Sequence, residues 1–201
     1  MLKRICVYCG SSDSLDQAYL DEAYQVGKTF AQNGITLIYG AGKTGLMGAI
    51  ANGALEHGGE VIGVLPKFFN TSVLVHSSLT QLELVDTMHE RKARMAALAD
   101  GFIALPGGFG TFDELFEILT WAQIGLHAKP IGLLNIQHYF DPLLALVEHA
   151  SQQGFVYSAH GGLFVHDVHI HPLLDLMQAY QPPFGLARWV QRSAYKGDNI
   201  E

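Results

Sequence analysis

The sequence has few charged residues, few cysteines and no long apolar run. Charged residues make up 15% of 201 positions and the net charge is −7, which disfavours nucleic acid as a partner because a polyanion requires a basic face. No apolar run is long enough to cross a bilayer, and the N-terminus has no signal-peptide pattern. Two cysteines are too few for a disulfide framework. We therefore expect a cytoplasmic protein, with part of its weakly charged surface covered by a partner subunit.

The two cysteines form a C-x-x-C pair, but in the wrong context for redox chemistry. A redox pair belongs at a helix N-terminus, where the dipole lowers the pKa of the thiol. Cys6 and Cys9 lie in an apolar, strand-like run instead, and their spacing places the thiols on opposite faces of a strand. We interpret both as buried structural residues.

Short apolar runs alternate with longer helical patterns along the chain. The runs are typical of parallel strands covered on both faces, and they span residues 5–9, 36–39, 61–65, 82–85, 102–105 and 131–134. The helical patterns span residues 16–32, 46–57, 88–99, 112–125 and 140–153. This order predicts an α/β fold, Rossmann-like, with a doubly wound and mostly parallel sheet in a single domain over residues 1–201.

The pattern weakens after Gly154. Residues 163–165 predict a short strand and residues 172–180 a short helix, followed by a C-terminal tail over residues 180–201. Gly34, Gly58 and Gly154 each follow a predicted helix, at the position where a left-handed residue is favoured.

Three predicted strands end in loops of small residues that lead into helices. These loops are residues 9–12, with Gly10 and Ser11, residues 39–45, with Gly42, and residues 105–111. Such loops allow backbone N–H groups to approach an anion, and the following helix N-terminus adds positive potential. Because ligands of open α/β sheets bind beyond the carboxyl ends of the strands, three such loops together indicate a phosphate or nucleotide site.

Two familiar nucleotide motifs are only partly present. The second loop matches G-x-G-x-x-G, but the next strand ends in Pro66 and Lys67 rather than in the acidic residue that would hold the ribose of NAD. Lys43 and Thr44 resemble the end of a P-loop, yet the glycine required before them is Leu37. The pattern therefore excludes a dinucleotide-binding loop and a P-loop. It does not exclude a phosphate or a nucleotide as the ligand.

Two charged residues have both a structural and a functional interpretation. Thr111 and Glu114 have the spacing of a capping box, in which the carboxylate would serve the helix; alternatively, Glu114 faces the pocket above the third loop. Arg91 falls on the apolar stripe of a helix that Thr87 is expected to cap. A cation there requires an anionic partner, either a carboxylate of a neighbouring helix or a bound phosphate.

A metal site is not predicted. His160, His166, His169 and His171 cluster near the C-terminus, but their spacing matches no zinc pattern, and no cysteine or carboxylate pair accompanies them. We expect no metal and no cofactor. Amino acid decarboxylation is disfavoured because no strand-and-lysine context for pyridoxal phosphate is found.

The motif residues resemble one known family. The run Pro106-Gly107-Gly108-Phe109-Gly110-Thr111-Phe112-Asp113-Glu114 is similar to the P-G-G-x-G-T-x-x-E signature of the LOG (LONELY GUY) proteins, which are cytokinin riboside 5′-monophosphate phosphoribohydrolases. Residues 88–92 resemble the family's second motif, and residues 7–12 and 45–48 resemble its N-terminal elements. The similarity extends from about residue 4 to residue 154.

The resemblance implies a homodimer that binds a nucleoside 5′-monophosphate and releases a free base and ribose 5-phosphate. It implies Arg91 and Glu114 as the catalytic pair. The nucleotide contacts that it implies are Lys92, Gly108, Phe109, Gly110, Thr111, Phe112, Asp113 and Thr120. Two positions depart from the family pattern: Ala41 replaces a glycine, and Val73 replaces a glutamate that contacts substrate.

Two alternatives remain open on the sequence. The same pocket would suit a protein that carries a phosphorylated cofactor, such as the molybdenum cofactor, without catalysing a reaction. It would also suit a hydrolase of purine and pyrimidine nucleoside monophosphates in general. An assay for release of free base distinguishes a carrier from a hydrolase. A comparison of specificity constants for different bases distinguishes a general hydrolase from one that prefers a single base.

Overall fold

The computed structural model describes residues 2–184 and residue 186. Seven strands form one sheet in this part of the chain: β1 (Arg4–Tyr8), β2 (Thr36–Tyr39), β3 (Val61–Pro66), β4 (Gln81–Val85), β5 (Gly101–Ala104), β6 (Ile131–Leu134) and β7 (Val165–Asp167). The helices are α1 (Gln17–Gln32), α2 (Gly45–Leu55), α3 (Met88–Leu98), α4 (Phe109–Gln123), α5 (Asp141–Gln152) and α6 (Ile170–Ala179). Among the described residues, no helix has the length and apolar character needed to span a membrane.

The strand order reverses in the middle of the sheet. The order is β4-β3-β2-β1-β5-β6-β7, and each pair of neighbouring strands is parallel. The chain builds one half of the sheet outward from β1 to β4, then crosses to the other side of β1 and continues from β5 to β7. The predicted doubly wound α/β fold is therefore confirmed, and a crevice is expected beyond the carboxyl ends of β1 and β5.

The core has two layers, one on each face of the sheet. One cluster packs α1, α2 and α6 against the sheet, and the other packs α3 and α4 against the opposite face. Cys9 belongs to the first cluster and Cys6 to the second, and both are buried free thiols. Their predicted separation by the sheet is confirmed.

Near the C-terminus, the predicted strand and the predicted helix each begin two residues away from their predicted starts. Strand β7 begins at Val165 rather than at residue 163, because pairing with Gly132 of β6 sets its register. Helix α6 begins at Ile170, before Pro172, because proline is tolerated in the first turn where its missing N–H has no helical partner. The predicted tail, residues 180–201, lies largely outside the described residues.

The glycines predicted to end helices have the expected conformation. Gly34, Gly58 and Gly154 have φ values of 63°, 74° and 80°. This left-handed conformation is open to glycine without a steric penalty.

Helices α1 and α2 pack with their backbones in close approach. A Cβ atom at Gly53 would lie 2.0 Å from the carbonyl oxygen of Tyr24, and one at Gly27 would lie 2.0 Å from the carbonyl oxygen of Ile50. These glycines are helix-interior residues with a low helix propensity. Their contribution is therefore the close packing of α1 on α2, which holds the second glycine loop at the start of α2.

We expect Gly53→Ala to lower the free energy of unfolding by roughly 2 kcal/mol, because the added methyl group would collide with backbone rather than with a flexible side chain. Gly110→Ala is the matched control: Gly110 is also helical, but a methyl group added there would meet no heavy atom within 4 Å. That variant should be as stable as the parent or slightly more so. Urea unfolding measures both, and equal effects would contradict the packing argument.

Candidate active site

A cleft of about 670 Å³ lies at the carboxyl edge of the sheet. All three predicted loops line it: Gly10 and Ser11 from the first, Gly42 from the second, and residues 106–111 from the third. Its volume is in the usual range for small-molecule sites. The prediction that these loops meet at one edge of the sheet is thus confirmed.

Helix α4 begins three residues earlier than the sequence indicated. Its N-cap is Gly108 and no side chain caps it, so the predicted capping box of Thr111 and Glu114 is wrong. Thr111 is instead a buried residue inside the first turn, packed under Gly107. The spacing of Thr111 and Glu114 suggested a cap because spacing alone does not show where a helix starts. In the structure the N-cap is already Gly108.

This start leaves the first turn of α4 open to a ligand. The first N–H groups of a helix have no partner within it, and in the described part of the chain no side chain accepts from them at the N-cap. Gly108, Phe109 and Gly110 line the cleft, and a Cβ atom at Gly108 or Gly110 would meet nothing within 4 Å. Uncapped N–H groups together with the helix dipole favour an anion at this position.

Arg91 lies on α3, and its side chain lines the cleft. Thr87 caps that helix as predicted, accepting a hydrogen bond of 3.1 Å from the N–H of Glu90. The Arg91 Nε donates to the carbonyl oxygen of Val64 at 3.1 Å, which fixes the guanidinium across the end of β3. A Cβ atom at Gly40 would lie 1.8 Å from the Arg91 Nη2, so the absence of a side chain at Gly40 makes room for the guanidinium.

Glu114 meets Arg91 inside the cleft. Its Oε1 lies 3.5 Å from the Arg91 Nη1, and the two side chains are only 11% and 13% exposed. Burial raises the pKa of Glu114 to about 7, more than Arg91 lowers it. A carboxyl group whose pKa lies near neutrality can both accept and return a proton at physiological pH.

Lys92 lies outside the cleft lining. Its Nζ forms ion pairs with Asp113 at 3.0 Å and with Glu117 at 3.1 Å, joining α3 to α4. Desolvation lowers the pKa of Lys92, but the two carboxylates outweigh it and the net shift is upward. The ammonium therefore stays charged and engaged with α4.

Three other predicted contact residues also face away from the cleft. Phe112, Asp113 and Thr120 line a shallow depression on the outer face of α4, together with Phe116, Glu117 and Trp121. The Thr120 hydroxyl donates to the carbonyl oxygen of Phe116 at 2.7 Å. The structure thus brings Arg91, Glu114, Gly10, Ser11, Gly42 and residues 108–111 together. It leaves Phe112, Asp113 and Thr120 on the outer face of α4 and Lys92 buried between α3 and α4.

Several side chains of the cleft wall were missed. Tyr19 and Tyr139 form one wall, while Met47, Phe69 and Leu74 are part of the lining of the cleft. The rule that ligands bind beyond strand ends points to Tyr139, which follows β6, and to Phe69, which follows β3. No local signal pointed to Leu74.

Three further positions bear on the chemistry of the cleft. Cys9 lines the cleft, and burial followed by the charge of Glu114 raises the pKa of its thiol, which disfavours a thiolate nucleophile. Ala41, in place of the family's glycine, is buried with a φ of 64°. Val73, in place of the family's glutamate, is 70% exposed and is not part of the cleft lining.

Comparison with known proteins gives one consistent family. Residues 47–175 match the family model described as "Possible lysine decarboxylase". The chain is 45% identical over 177 residues to the probable cytokinin riboside 5′-monophosphate phosphoribohydrolase LOGL1 of Oryza sativa subsp. japonica, covering 88% of this chain and 79% of that protein. It is 42% identical over 180 residues to the cytokinin riboside 5′-monophosphate phosphoribohydrolase LOG2 of Arabidopsis thaliana, covering 90% and 84%.

Solved structures share the fold at lower identity. The molybdenum cofactor carrier protein of Chlamydomonas reinhardtii superimposes with a TM-score of 0.69 at 20% identity, covering 90% of this chain and 98% of that protein. The molybdenum cofactor binding protein of Rippkaea orientalis gives a TM-score of 0.66 at 20% identity, covering 89% and 97%. At such identities the likeness establishes the Rossmann-like fold alone.

We expect the buried Glu114 carboxyl to make stability depend on pH. Its pKa of about 7 in the folded chain exceeds the value of 4.5 expected when exposed, so its protonated form stabilises the fold at low pH and this contribution is lost as the pH rises to 7 and above. Relative to Glu114→Gln, the parent should lose on the order of 3 kcal/mol between pH 4.5 and pH 8. Urea unfolding at the two pH values measures this difference, and a constant difference would contradict it.

Proposed function

The chain belongs to the LOG family, whose family model has the description "Possible lysine decarboxylase", and we propose that it hydrolyses the N-glycosidic bond of a nucleoside 5′-monophosphate. The substrate is a cytokinin riboside 5′-monophosphate, AMP or both, and the products are the free base and ribose 5-phosphate. The observation that carries this proposal is the contact of Glu114 with Arg91 inside the cleft, beside an uncapped helix N-terminus. The reaction requires no metal or cofactor.

The 5′-phosphate binds at the start of α4. Gly108, Phe109 and Gly110 line the cleft there, and no side chain of residues 2–184 competes for their N–H groups at the N-cap. A phosphate placed at this point gains charge-assisted hydrogen bonds and the favourable end of the helix dipole. Ser11 and Gly42 line the same cleft and complete the binding surface.

Glu114 and Arg91 act on the ribose and the leaving base. Breaking the bond between C1′ and the base nitrogen develops positive charge on the ribose, as in glycoside hydrolysis. The Glu114 carboxylate stabilises that charge and accepts a proton from the attacking water, whose oxygen bonds to C1′. The base departs with the electron pair of the broken bond and takes up the proton that Glu114 accepted from the water, while Arg91 holds the substrate in position.

The base lies toward the apolar part of the lining. Met47, Leu65, Phe69 and Leu74 contribute to the lining, and Arg91 crosses from α3 to the end of β3 beside them. A purine with an apolar substituent would bury that substituent against these side chains, which is favourable in proportion to the area removed from water. The cleft therefore suits an adenine, with or without a hydrophobic N6 group.

A cofactor carrier with the same pocket is the main alternative. The likeness to molybdenum cofactor carrier proteins supports the fold only. A carrier has no use for a carboxyl group of raised pKa in contact with an arginine at its binding site, and such a group costs stability when it ionises. The alternative of a hydrolase with broad base preference is decided by comparing kcat/KM across purine and pyrimidine monophosphates.

The substitution Glu114→Gln tests the proposed chemistry. Glutamine has the same shape but cannot accept the proton of water, so kcat on AMP and on isopentenyladenosine monophosphate should fall by on the order of 10³-fold with little change in KM. Release of free base, followed by chromatography, measures both constants.

Glu22→Gln is the matched control. Glu22 is exposed on α1 and is not part of the cleft lining, so its loss should leave both constants unchanged. Wild-type turnover by Glu114→Gln would remove Glu114 from the reaction. Absence of base release by the parent from every nucleoside monophosphate would refute the hydrolase itself.

We also propose that the chain forms a homodimer through the outer face of α4. Phe116 is 43% exposed there, and the shallow depression around it has an apolar wall that includes Trp121. Aromatic side chains of this kind are enriched at interfaces. Such a dimer is also the arrangement in which Asp113 and Thr120 of one subunit would contact a nucleotide, because neither lines the cleft of its own chain.

The dimer has a direct test. We expect the parent to have twice the mass of the 22.0 kDa chain in light scattering. Phe116→Asp places a charge in the interface and should give a monomer. Phe155→Asp is the control, since Phe155 is 85% exposed and follows α5. A parent that is monomeric, or a Phe116→Asp variant that stays dimeric, would contradict the assignment.

The cysteines support one choice of compartment. Both are buried and free, whereas oxidising compartments favour disulfides. We propose the cytoplasm as the site of this activity.

A further inference from the structure

Tyr139 reaches the cleft from an element that carries none of the glycine loops. It follows β6, its ring is half-buried in the cleft wall, and its hydroxyl donates a hydrogen bond to the carbonyl oxygen of Gly107. The ring also packs edge-on against Tyr19, with centroids 6.4 Å apart. A side chain from the β6 end of the sheet is thereby attached to the loop that precedes α4.

The segment that delivers Tyr139 has an unfavourable backbone. Gln137 and His138 have φ values of 53° and 59°, a left-handed conformation that costs free energy for residues other than glycine. The segment is held by Asn135, which is buried: its Oδ1 accepts from the N–H of Phe140 at 2.6 Å and its Nδ2 donates to Asp141 at 2.7 Å. Strained backbone of this kind persists where the surroundings fix it, often beside a functional site.

The bond to Gly107 controls the orientation of one peptide group. The carbonyl of Gly107 and the N–H of Gly108 belong to the same planar peptide, so fixing the oxygen also fixes the direction of that N–H. Both flanking residues are glycines, which restrain the peptide least of all residue types. Among the described residues, the Tyr139 hydroxyl is the side-chain donor to this carbonyl.

We propose that Tyr139 is a positioning residue for phosphate recognition: it holds the Gly107–Gly108 peptide so that the N–H of Gly108 stays directed at the 5′-phosphate. The inference rests on the proposed function, because it assumes a phosphate at the start of α4. Tyr139 contributes to affinity for the phosphorylated ribose and has no part in breaking the glycosidic bond.

The substitution Tyr139→Phe removes the hydroxyl and keeps the ring. It should raise KM for AMP by about tenfold, the effect of one lost hydrogen bond to a mobile peptide, and change kcat less than about twofold. Binding of ribose 5-phosphate, measured by calorimetry, should weaken by the same factor. The inhibition constant of adenosine, which has no phosphate, should stay at its parent value.

Tyr24→Phe is the matched control, because it also removes a tyrosine hydroxyl that donates a hydrogen bond, at 2.6 Å to Glu56, and neither residue is part of the cleft lining. It should leave every constant unchanged, and thermal melts of both variants account for any loss of stability. If the affinities for AMP and for adenosine fell equally, Tyr139 would contribute to the cleft wall in general and not to recognition of the phosphate. That result would overturn the proposal.

An unchanged affinity of Tyr139→Phe for ribose 5-phosphate would overturn it as well, as would a parent protein that does not bind ribose 5-phosphate. Failure of the proposed function has a different signature. If the parent releases no base from any nucleotide, the hydrolase is refuted, while calorimetry with ribose 5-phosphate still decides the role of Tyr139.

Discussion

The guanidinium of Arg91 is the point at which the two halves of the sheet are connected at the cleft. It comes from α3, donates to the carbonyl oxygen of Val64 at the end of β3, passes Gly40 after β2 and meets Glu114 of α4, which follows β5. Because β1 lies between β2 and β5, this one side chain spans the position at which the strand order reverses. Without it, Glu114 would lose the cation with which it forms an ion pair, and a buried carboxylate without a paired cation is a costly arrangement.

The neighbouring charges of α3 and α4 pair in a crosswise manner. Arg91 faces Glu114 inside the cleft, while Lys92 faces Asp113 and Glu117 outside it. The outer pairs hold the two helices together. The inner pair has a longer separation, 3.5 Å, so the polar atoms of Arg91 and Glu114 remain available to a substrate. Adjacent residues on each helix thus have different roles. The ion pairs of Lys92 stabilise the packing of the helices, and the pair of Arg91 with Glu114 remains available for chemistry.

The sequence was sufficient to predict the architecture and the core of the site, but not the surfaces that need tertiary information. Parallel strands that are buried on both faces appear in the sequence as apolar runs, and the three glycine loops mark their ends, so the fold and the edge of the sheet that holds the cleft could be predicted. The pairing of Arg91 with Glu114 was implied only by the family resemblance. The capping box at Thr111 was wrong because local spacing cannot tell a first-turn residue from a cap. Lys92 and Thr120 were expected to contact the nucleotide, but Lys92 faces α4 and Thr120 lies on the outer surface of α4. A motif gives positions along the chain, and it does not show which side of a helix another helix covers. The position of Tyr139 after β6 marks the correct edge of the sheet, but its hydrogen bond to Gly107 joins segments far apart in sequence, and no pattern within either segment indicates that bond.

The cleft chemistry also bears on the description that the family model carries. A decarboxylase that works through pyridoxal phosphate needs a lysine that reaches the cofactor, and among the described residues no lysine lines this cleft. Lys92 is held by two carboxylates, and Lys43 donates to the carbonyl oxygen of Ser72 at 2.7 Å. The groups that do line the cleft include one carboxyl of raised pKa, one guanidinium and the first N–H groups of a helix. These are the groups required by a reaction in which an anchored phosphate positions a ribose, positive charge develops on that ribose, and water is the second reactant.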